Sequence, residues 1–474
     1  MTTATPPTPT TLAGLRASGH RYKAVKHELR DNLLRRLAEG GERFPGIVGF
    51  DDTVLPELER ALLAGHDIVL LGERGQGKTR LIRSLHHLLD EWTPVVDGCE
   101  INDHPYVPTC TPCRRRLDEL GEELPVAWRH RSERYGEKLA TPDTSVGDLI
   151  GDIDPIKVAE GRTLGDPETV HYGLVPRTNR GIFSVNELPD LAERIQVALL
   201  NVLEERDIQV RGYQLRLPLD LILIASANPE DYTNRGRIIT PLKDRFGAEV
   251  RTHYPLRLDD EVSLIRQEAV LAWDEQPLGR PLVPGHLLEV IARFTRAVRE
   301  SPQIDARSGV SARFAIAAAE TVAASAVRRA AVTGEEVPVA RVADLPSVVA
   351  VSLGKVEFDQ LEEGRELDLL KHLLRRSVAE TWRARLAGSD LSGLLHRFDE
   401  GATVETGDLV PAADLLARVG PVPGLAQLLR RLGDDHGAET PGLAAAALEF
   451  AMEGLHLSKR LAKEELPGRT VYGG

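Results

Sequence analysis

Three short stretches carry residue types that can do chemistry on phosphate. "GERGQGKT", Gly72 to Thr79, fits G-x-x-x-x-G-K-[ST] and stands between an apolar strand pattern and a helical one. Its glycines, Gly72, Gly75 and Gly77, with Gln76 between them, let the backbone turn its N–H groups inward on an anion. The start of the next helix adds partial positive charge. Lys78 would reach the β- and γ-phosphates and Thr79 would ligate Mg²⁺. A chance glycine-rich turn is the plainer alternative, and the strand and helix on either side oppose it. In "GIFSVNELPDL", residues 181 to 191, an apolar run ends at Asn186-Glu187. Glu187 is placed to polarise an attacking water. Asn186 stands where a phosphate-transfer site normally has Asp. An amide offers an oxygen but no charge, so weaker Mg²⁺ retention and slow hydrolysis are expected. Asn186 also suits a helix N-cap with Pro189 in the first turn, and the two roles are compatible. "ILIASANPED" ends a third strand at Asn228, whose side chain can orient the water between the other two motifs. Taken alone, Asn-Pro would read as an ordinary turn.

A second chemistry sits in "CEINDHPYVPTCTPC". Cys99, His104, Cys110 and Cys113 are spaced C-x4-H-x5-C-x2-C, and these are all the cysteines of the chain. Thiolates and an imidazole are good tetrahedral Zn²⁺ ligands, and a Pro-rich segment with little core of its own would gain folding energy from a structural Zn²⁺. Asp103, or a residue from elsewhere, can take the place of His104. Free thiols or a redox pair are the alternatives.

The elements that must position these groups follow from apolar spacing. Residues 22–40 and "VLPELERALLAG" read as amphipathic helices. "HDIVLL", "GIFSV" and "DLILIASAN" read as buried strands, with a helix "LAERIQVALLNVLEE" and a hairpin "IQVRGYQLRL" between the last two. This alternation predicts an α/β fold, a mainly parallel sheet between helices. Residues 93 to 180 read as a loop-rich insertion. From 256 the pattern is almost wholly helical, and "ELDLLKHLLRRSVAETWRARL" is strongly amphipathic, as a core-facing helix would be.

At 474 residues the chain is too long for one ordinary core. The apolar share is 42 % with only 4 % aromatic, so Leu, Val, Ile and Ala must fill the cores. A net charge of −13 argues against a broad nucleic-acid footprint. No run of eighteen apolar residues and no signal pattern is present, so no membrane segment is expected and the location reads as cytoplasmic.

In this order and number, the motifs resemble AAA+ ATPases of the helix-2-insert clade, above all the ATPase subunit of magnesium chelatase and its MoxR-type relatives. The resemblance covers roughly residues 44 to 320, through "GIVGFDD", "GERGQGKT", "LIGDIDPIKVAEGR…HYGLVPRTNRGIFSVNELPDL", "ASANPED", "PLKDRFG" and "GVSARFAIAAAE". With the Pro/Thr-rich start read as a disordered tail at 1–20, it implies an AAA+ P-loop core at 21–255 whose insertion, at about 93–180, holds the zinc knuckle read above from spacing at 99–113. An α-helical lid at 256–352 would follow, and helical spacing alone gives a further α-helical C-terminal region at 353–474. The resemblance also implies ATP with Mg²⁺, bound between subunits of a homo-oligomeric, hexameric ring. Arg245 matches the arginine finger and Arg313 the sensor-2 arginine; Ile47 and Val48 would line the adenine pocket. Two departures stand out. Asn186 replaces the family's Asp, and 353–474 has no counterpart, with no D-x-S-x-S signature; a separate von Willebrand-type metal-ion-binding partner would supply that domain. The function implied is ATP-driven remodelling or activation of a partner protein. A true chelatase subunit, inserting magnesium or cobalt into a tetrapyrrole, a weakly hydrolysing ATP-dependent scaffold, and a DNA-acting motor are the other readings.

Overall fold

A computed structural model describes residues 5–159, 169–205, 208–210, 213–215, 217–229, 237–271, 278–305, 310–359, 364–433 and 440–473. It divides into two compact units, Met1–His253 and Tyr254–Gly474.

The first unit is built on five parallel strands: β1 (Ile68–Leu71), β2 (Tyr135–Leu139), β3 (Ile182–Asn186), β4 (Ile222–Ala227) and β5 (Ala248–Arg251). Their order across the sheet is β5-β1-β4-β3-β2. Period-two alternation sorts their apolar side chains onto two faces. Ile68, Leu70, Ile182, Ile222, Ile224 and Val250 join one core. It is completed by α2 (Val25–Glu39), α3 (Val54–Ala64) and α4 (Lys78–Ser84). Val69, Leu71, Phe183, Val185, Leu223 and Ala225 join the other, against the helix Glu193–Glu205 and the three cysteines. Because β1, β3 and β4 are adjacent or one strand apart and all run the same way, their carboxyl ends open on one edge. That edge is where ligands bind in open α/β sheets.

Two expectations change here. "YGEKL" falls inside the expected insertion, yet it is β2, an edge strand of the central sheet, paired with β3 through Leu139 opposite Asn186. Its start is fixed by Arg134, whose guanidinium makes two 2.7 Å bonds to Glu28 of α2 and donates to the Arg180 carbonyl just before β3. The expected tail is also ordered in part. Leu12–Ala17 forms α1, capped by the Thr11 side chain. Leu12 N–H donates to the Leu124 carbonyl and Trp128 Nε1 to that of Pro9, so the segment is tied down rather than free. The hairpin pairs Ile208–Val210 with Tyr213–Leu215 as expected, its turn at Arg211-Gly212 lying outside the described residues.

In the second unit, helices that include Gly285–Arg299, Ala312–Thr333, Glu366–Leu386 and Pro441–Leu457 share one hydrophobic core. Residues 256–352 and 353–474 therefore pack as one body. The C-terminal stretch is not wholly helical: Val404–Gly407, Arg469–Gly473 and Ala462–Leu466 form an antiparallel sheet. Among the described residues, no helix is long and apolar enough to cross a membrane.

Candidate nucleotide site and cysteine cluster

The loop after β1 is shaped by its own side chains. Gly75 and Gly77 sit at φ +74° and +77°, where glycine alone is unstrained. A Cβ on Gly72 would strike the Thr252 hydroxyl and the Gln76 carbonyl. Gln76 Oε1 accepts from the Glu73 N–H at 3.0 Å and from Thr252 Oγ1 at 2.8 Å, so Gln76 braces the loop from within. Lys78 Nζ donates to the carbonyls of Gly72 and Glu73 and, at 2.8 Å, to Asn228 Oδ1. Asn228, at the β4 tip and 1 % exposed, donates through Nδ2 to Glu187 Oε2 at 2.6 Å. Lys78, Asn228 and Glu187 are thus joined across the carboxyl ends of neighbouring strands. Glu187 itself adopts φ +57°, a conformation that costs a non-glycine residue energy and concentrates at functional sites.

Asn186 does not act as a side-chain cap; Glu187 takes the N-cap position of the short turn that follows. Asn186 Oδ1 accepts from Ser226 Oγ at 3.2 Å and Nδ2 donates to Glu137 Oε1 at 2.7 Å. Glu137 and Ser226 were not marked by the sequence. Period-two alternation on "ILIASAN" places Ser226 at a strand end, but nothing in "YGEKL" announces a site. Thr79 lies half-buried in the first turn of α4, and Arg80 Nε ties that turn to the Gly46 carbonyl at 3.1 Å. Ile47 packs partly buried against the core that includes α3 and α4, with Val48 half-buried beside it. Arg245 is not gathered with these groups: it is exposed at the end of the helix Thr240–Arg245 and pairs with Glu204. Arg313 is exposed in the second unit, in the first turn of Ala312–Thr333.

The cysteine cluster needs one correction. Cys99, Cys110, Cys113 and Asp103 are all buried, with one ligand atom from each within 4.8 Å of the others. The expected His104 is replaced by Asp103. His104 Nδ1 accepts from the Tyr106 N–H at 3.0 Å, and its Nε2 lies 3.1 Å from His20 Nε2. Burial drives its pKa down to about 2, so the ring is neutral and its one lone pair is already used. Asp103 accepts three bonds, from Thr109 N and Oγ1 and from Cys110 N, which leaves a lone-pair site for a cation. Its own N–H donates to Cys99 Sγ at 3.3 Å. Hydrogen bonds from Cys110 and Cys113 pull Cys99 down to about 3, while bonds to Cys113 and Cys99, with burial, push Cys110 up. Three sulfurs and a carboxylate in one buried space fit a structural Zn²⁺.

For the nucleotide, the fit rests on donor chemistry. The loop after β1 offers an ammonium, open space above Gly77 and a hydroxyl at Thr79, which match a phosphate with its Mg²⁺.

This sheet and loop define a class, an α/β P-loop fold with added helical regions, which is similar to that of AAA+ ATPases. More particularly, the chain resembles the magnesium-chelatase ATPase subunit, and a MoxR-type likeness is also consistent. The model of the Sigma-54 interaction domain matches residues 162–245. The magnesium-chelatase 38 kDa subunit of Acidiphilium rubrum is 30 % identical over 218 residues, 44 % of this chain and 57 % of that protein. Magnesium-chelatase subunit ChlI of Nephroselmis olivacea is 29 % identical over 247 residues, 49 % of this chain and 63 % of the relative. The match therefore spans a little over half the length of these curated relatives. Among solved structures, a chain of the complex between subunits BchI and BchD of magnesium chelatase aligns with TM-score 0.37 and 21 % identity, covering 67 % of this chain and 97 % of that one.

Proposed function

We propose that the first unit binds ATP with Mg²⁺ and hydrolyses it, and that the chain works as a ring that remodels or activates a partner protein. The observation that carries this reading is the path Lys78–Asn228–Glu187 across the strand ends. It sets a cation, an amide and a carboxylate in the order phosphoryl transfer to water requires. Lys78 exchanges its bonds to the Gly72 and Glu73 carbonyls for phosphate oxygens. Asn228 holds the attacking water against Glu187, which accepts its proton. When bound, Mg²⁺ neutralises charge on the β- and γ-oxygens; Thr79 and Asn186 are the residues that would hold it, Asn186 through water. Ile47 and Val48 contact the base.

Arg245, exposed and paired with Glu204, serves a neighbouring subunit's phosphate in a homo-oligomer of about six chains, and Arg313 is the second arginine proposed to neutralise phosphate charge. A separate von Willebrand-type protein is the proposed metal-binding partner. Cys99, Asp103, Cys110 and Cys113 hold a structural Zn²⁺ that pins the segment around them. A second reading, the ATPase subunit of a true chelatase, is favoured by the names of the curated relatives. Porphyrin metallation assayed with candidate partner subunits separates it from the first.

The test is Mg²⁺-dependent phosphate release. Lys78→Ala and Glu187→Gln should each lower turnover by about 100-fold or more, with ATP binding kept only in Glu187→Gln. Arg245→Ala should lower turnover without moving the melting temperature. Unchanged turnover in Glu187→Gln would sink the reading.

A further inference from the structure

The tip of β3 carries an amide where a carboxylate was expected, and a carboxylate lies 2.7 Å from it on β2. At that distance only an N–H can face a carboxylate oxygen, so Glu137 decides which way the Asn186 amide points. Nδ2 faces Glu137, and Oδ1 is left on the opposite side, where the Ser226 hydroxyl donates to it at 3.2 Å. That same hydroxyl accepts from the Glu187 N–H at 3.3 Å, so the oxygen is held next to the catalytic carboxylate's backbone.

Glu137 is itself fixed from two further directions. Arg83 Nε and Nη2 donate to it at 2.7 and 2.8 Å, and the Tyr135 hydroxyl at 3.0 Å. Those bonds, Arg83 first, hold its carboxyl below the usual range, so it is ionised at neutral pH. Arg83 stands one turn after Thr79 on α4, and residues four apart share a helix face. A chain of contacts therefore runs from the Thr79 face of α4, through Arg83 and Glu137, to Asn186 at the strand tip.

Resting on the nucleotide reading above, we propose that Asn186 and Glu137 are a matched pair. Glu137 is a positioning residue that turns the Asn186 oxygen towards the metal side. The expected benefit of an Asp at 186 then reverses. Asn186→Asp sets two acceptor-only carboxylates within hydrogen-bonding distance, so the donor is lost and two like charges repel. The charged or titratable groups that meet the pair are Arg83 from α4, Tyr135 on β2 and Glu187 beside Asn186. Exchanging both residues, Asn186→Asp with Glu137→Gln, restores one carboxylate and one amide, with donor and acceptor reversed.

The experiment is a Mg²⁺ titration of ADP affinity by calorimetry. Each single variant should need about tenfold more Mg²⁺ than wild type, the scale of one charged hydrogen bond, and the double variant should recover most of it. Additive losses in the double variant, or tighter Mg²⁺ use by Asn186→Asp than by wild type, overturn the pairing and leave the ATPase reading standing. If Glu137→Gln fails to fold, the Mg²⁺ requirement of Asn186→Asp decides alone: a greater need than wild type supports the pairing, and an equal or smaller one overturns it. Wild type that binds ADP no better than Lys78→Ala, at any Mg²⁺, overturns the nucleotide reading and the pairing with it.

Discussion

The phosphate loop and the cysteine segment belong to the same unit, yet they close their charges in opposite ways. Around Lys78 each strong charge meets a group of the chain: the ammonium two carbonyls and Asn228, Glu187 the Asn228 amide, Glu137 the Arg83 guanidinium. Around Cys99 acids gather on acids. Three thiols and a buried carboxylate converge, and ionising one sulfur drives another up. A self-compensated site can keep its shape with or without its ligand. A concentrated acidic site is one whose fold a bound cation would stabilise.

Metal removal is the harshest way to break this comparison. Protein purified without chelator should carry about one zinc per chain, and Cys110→Ser should cost the first unit about 5 kcal/mol or more. At roughly 2–4 °C per kcal/mol, that is a large drop in melting temperature. Zinc content near zero would end the idea. The matching break on the self-compensated side is Arg134→Met. It leaves Glu28 buried at 4 % exposure without its guanidinium, at a cost of about 3–5 kcal/mol. Because Arg134 also joins the starts of β2 and β3, nucleotide affinity should fall with stability. A denaturant midpoint unchanged from wild type would show that the pair contributes nothing net.

The same contrast explains what could be read from the chain. β1, β3 and β4 are continuous apolar runs buried on both faces, and the phosphate loop is a local backbone demand, so spacing alone located them. β2 was read as loop because an edge strand with Gly136, Glu137 and Lys138 has no such run; its place comes from pairing with β3 and from Arg134. For the same reason "AKEEL" and "RTVYG" hid a sheet at the C-terminus. Three cysteines were legible by type, but the fourth ligand depended on which neighbour's lone pairs remained open. His104 spends its own on Tyr106, and that contact is fixed by the fold of the loop. Glu137 was out of reach for a related reason: it acts across a strand pair that the sequence did not predict.

The smallest effect separates two kinds of glycine in the one loop. Gly72 is required for space, since a Cβ there meets Thr252 and Gln76, while Gly77 has nothing within 4 Å of the same added atom and differs only in its φ of +77°. Gly77→Ala should therefore cost only the intrinsic left-handed penalty, about 1 kcal/mol. Gly77→Asn should cost less, because Asn tolerates that region. Gly72→Ala must instead push apart the Gln76–Thr252 brace and distort the loop that Lys78 closes. Thermal melts of the three variants give the comparison, with ADP affinity as the second readout. Equal losses at Gly72 and Gly77 would mean that the loop's shape is set by backbone conformation alone, and that the brace is incidental.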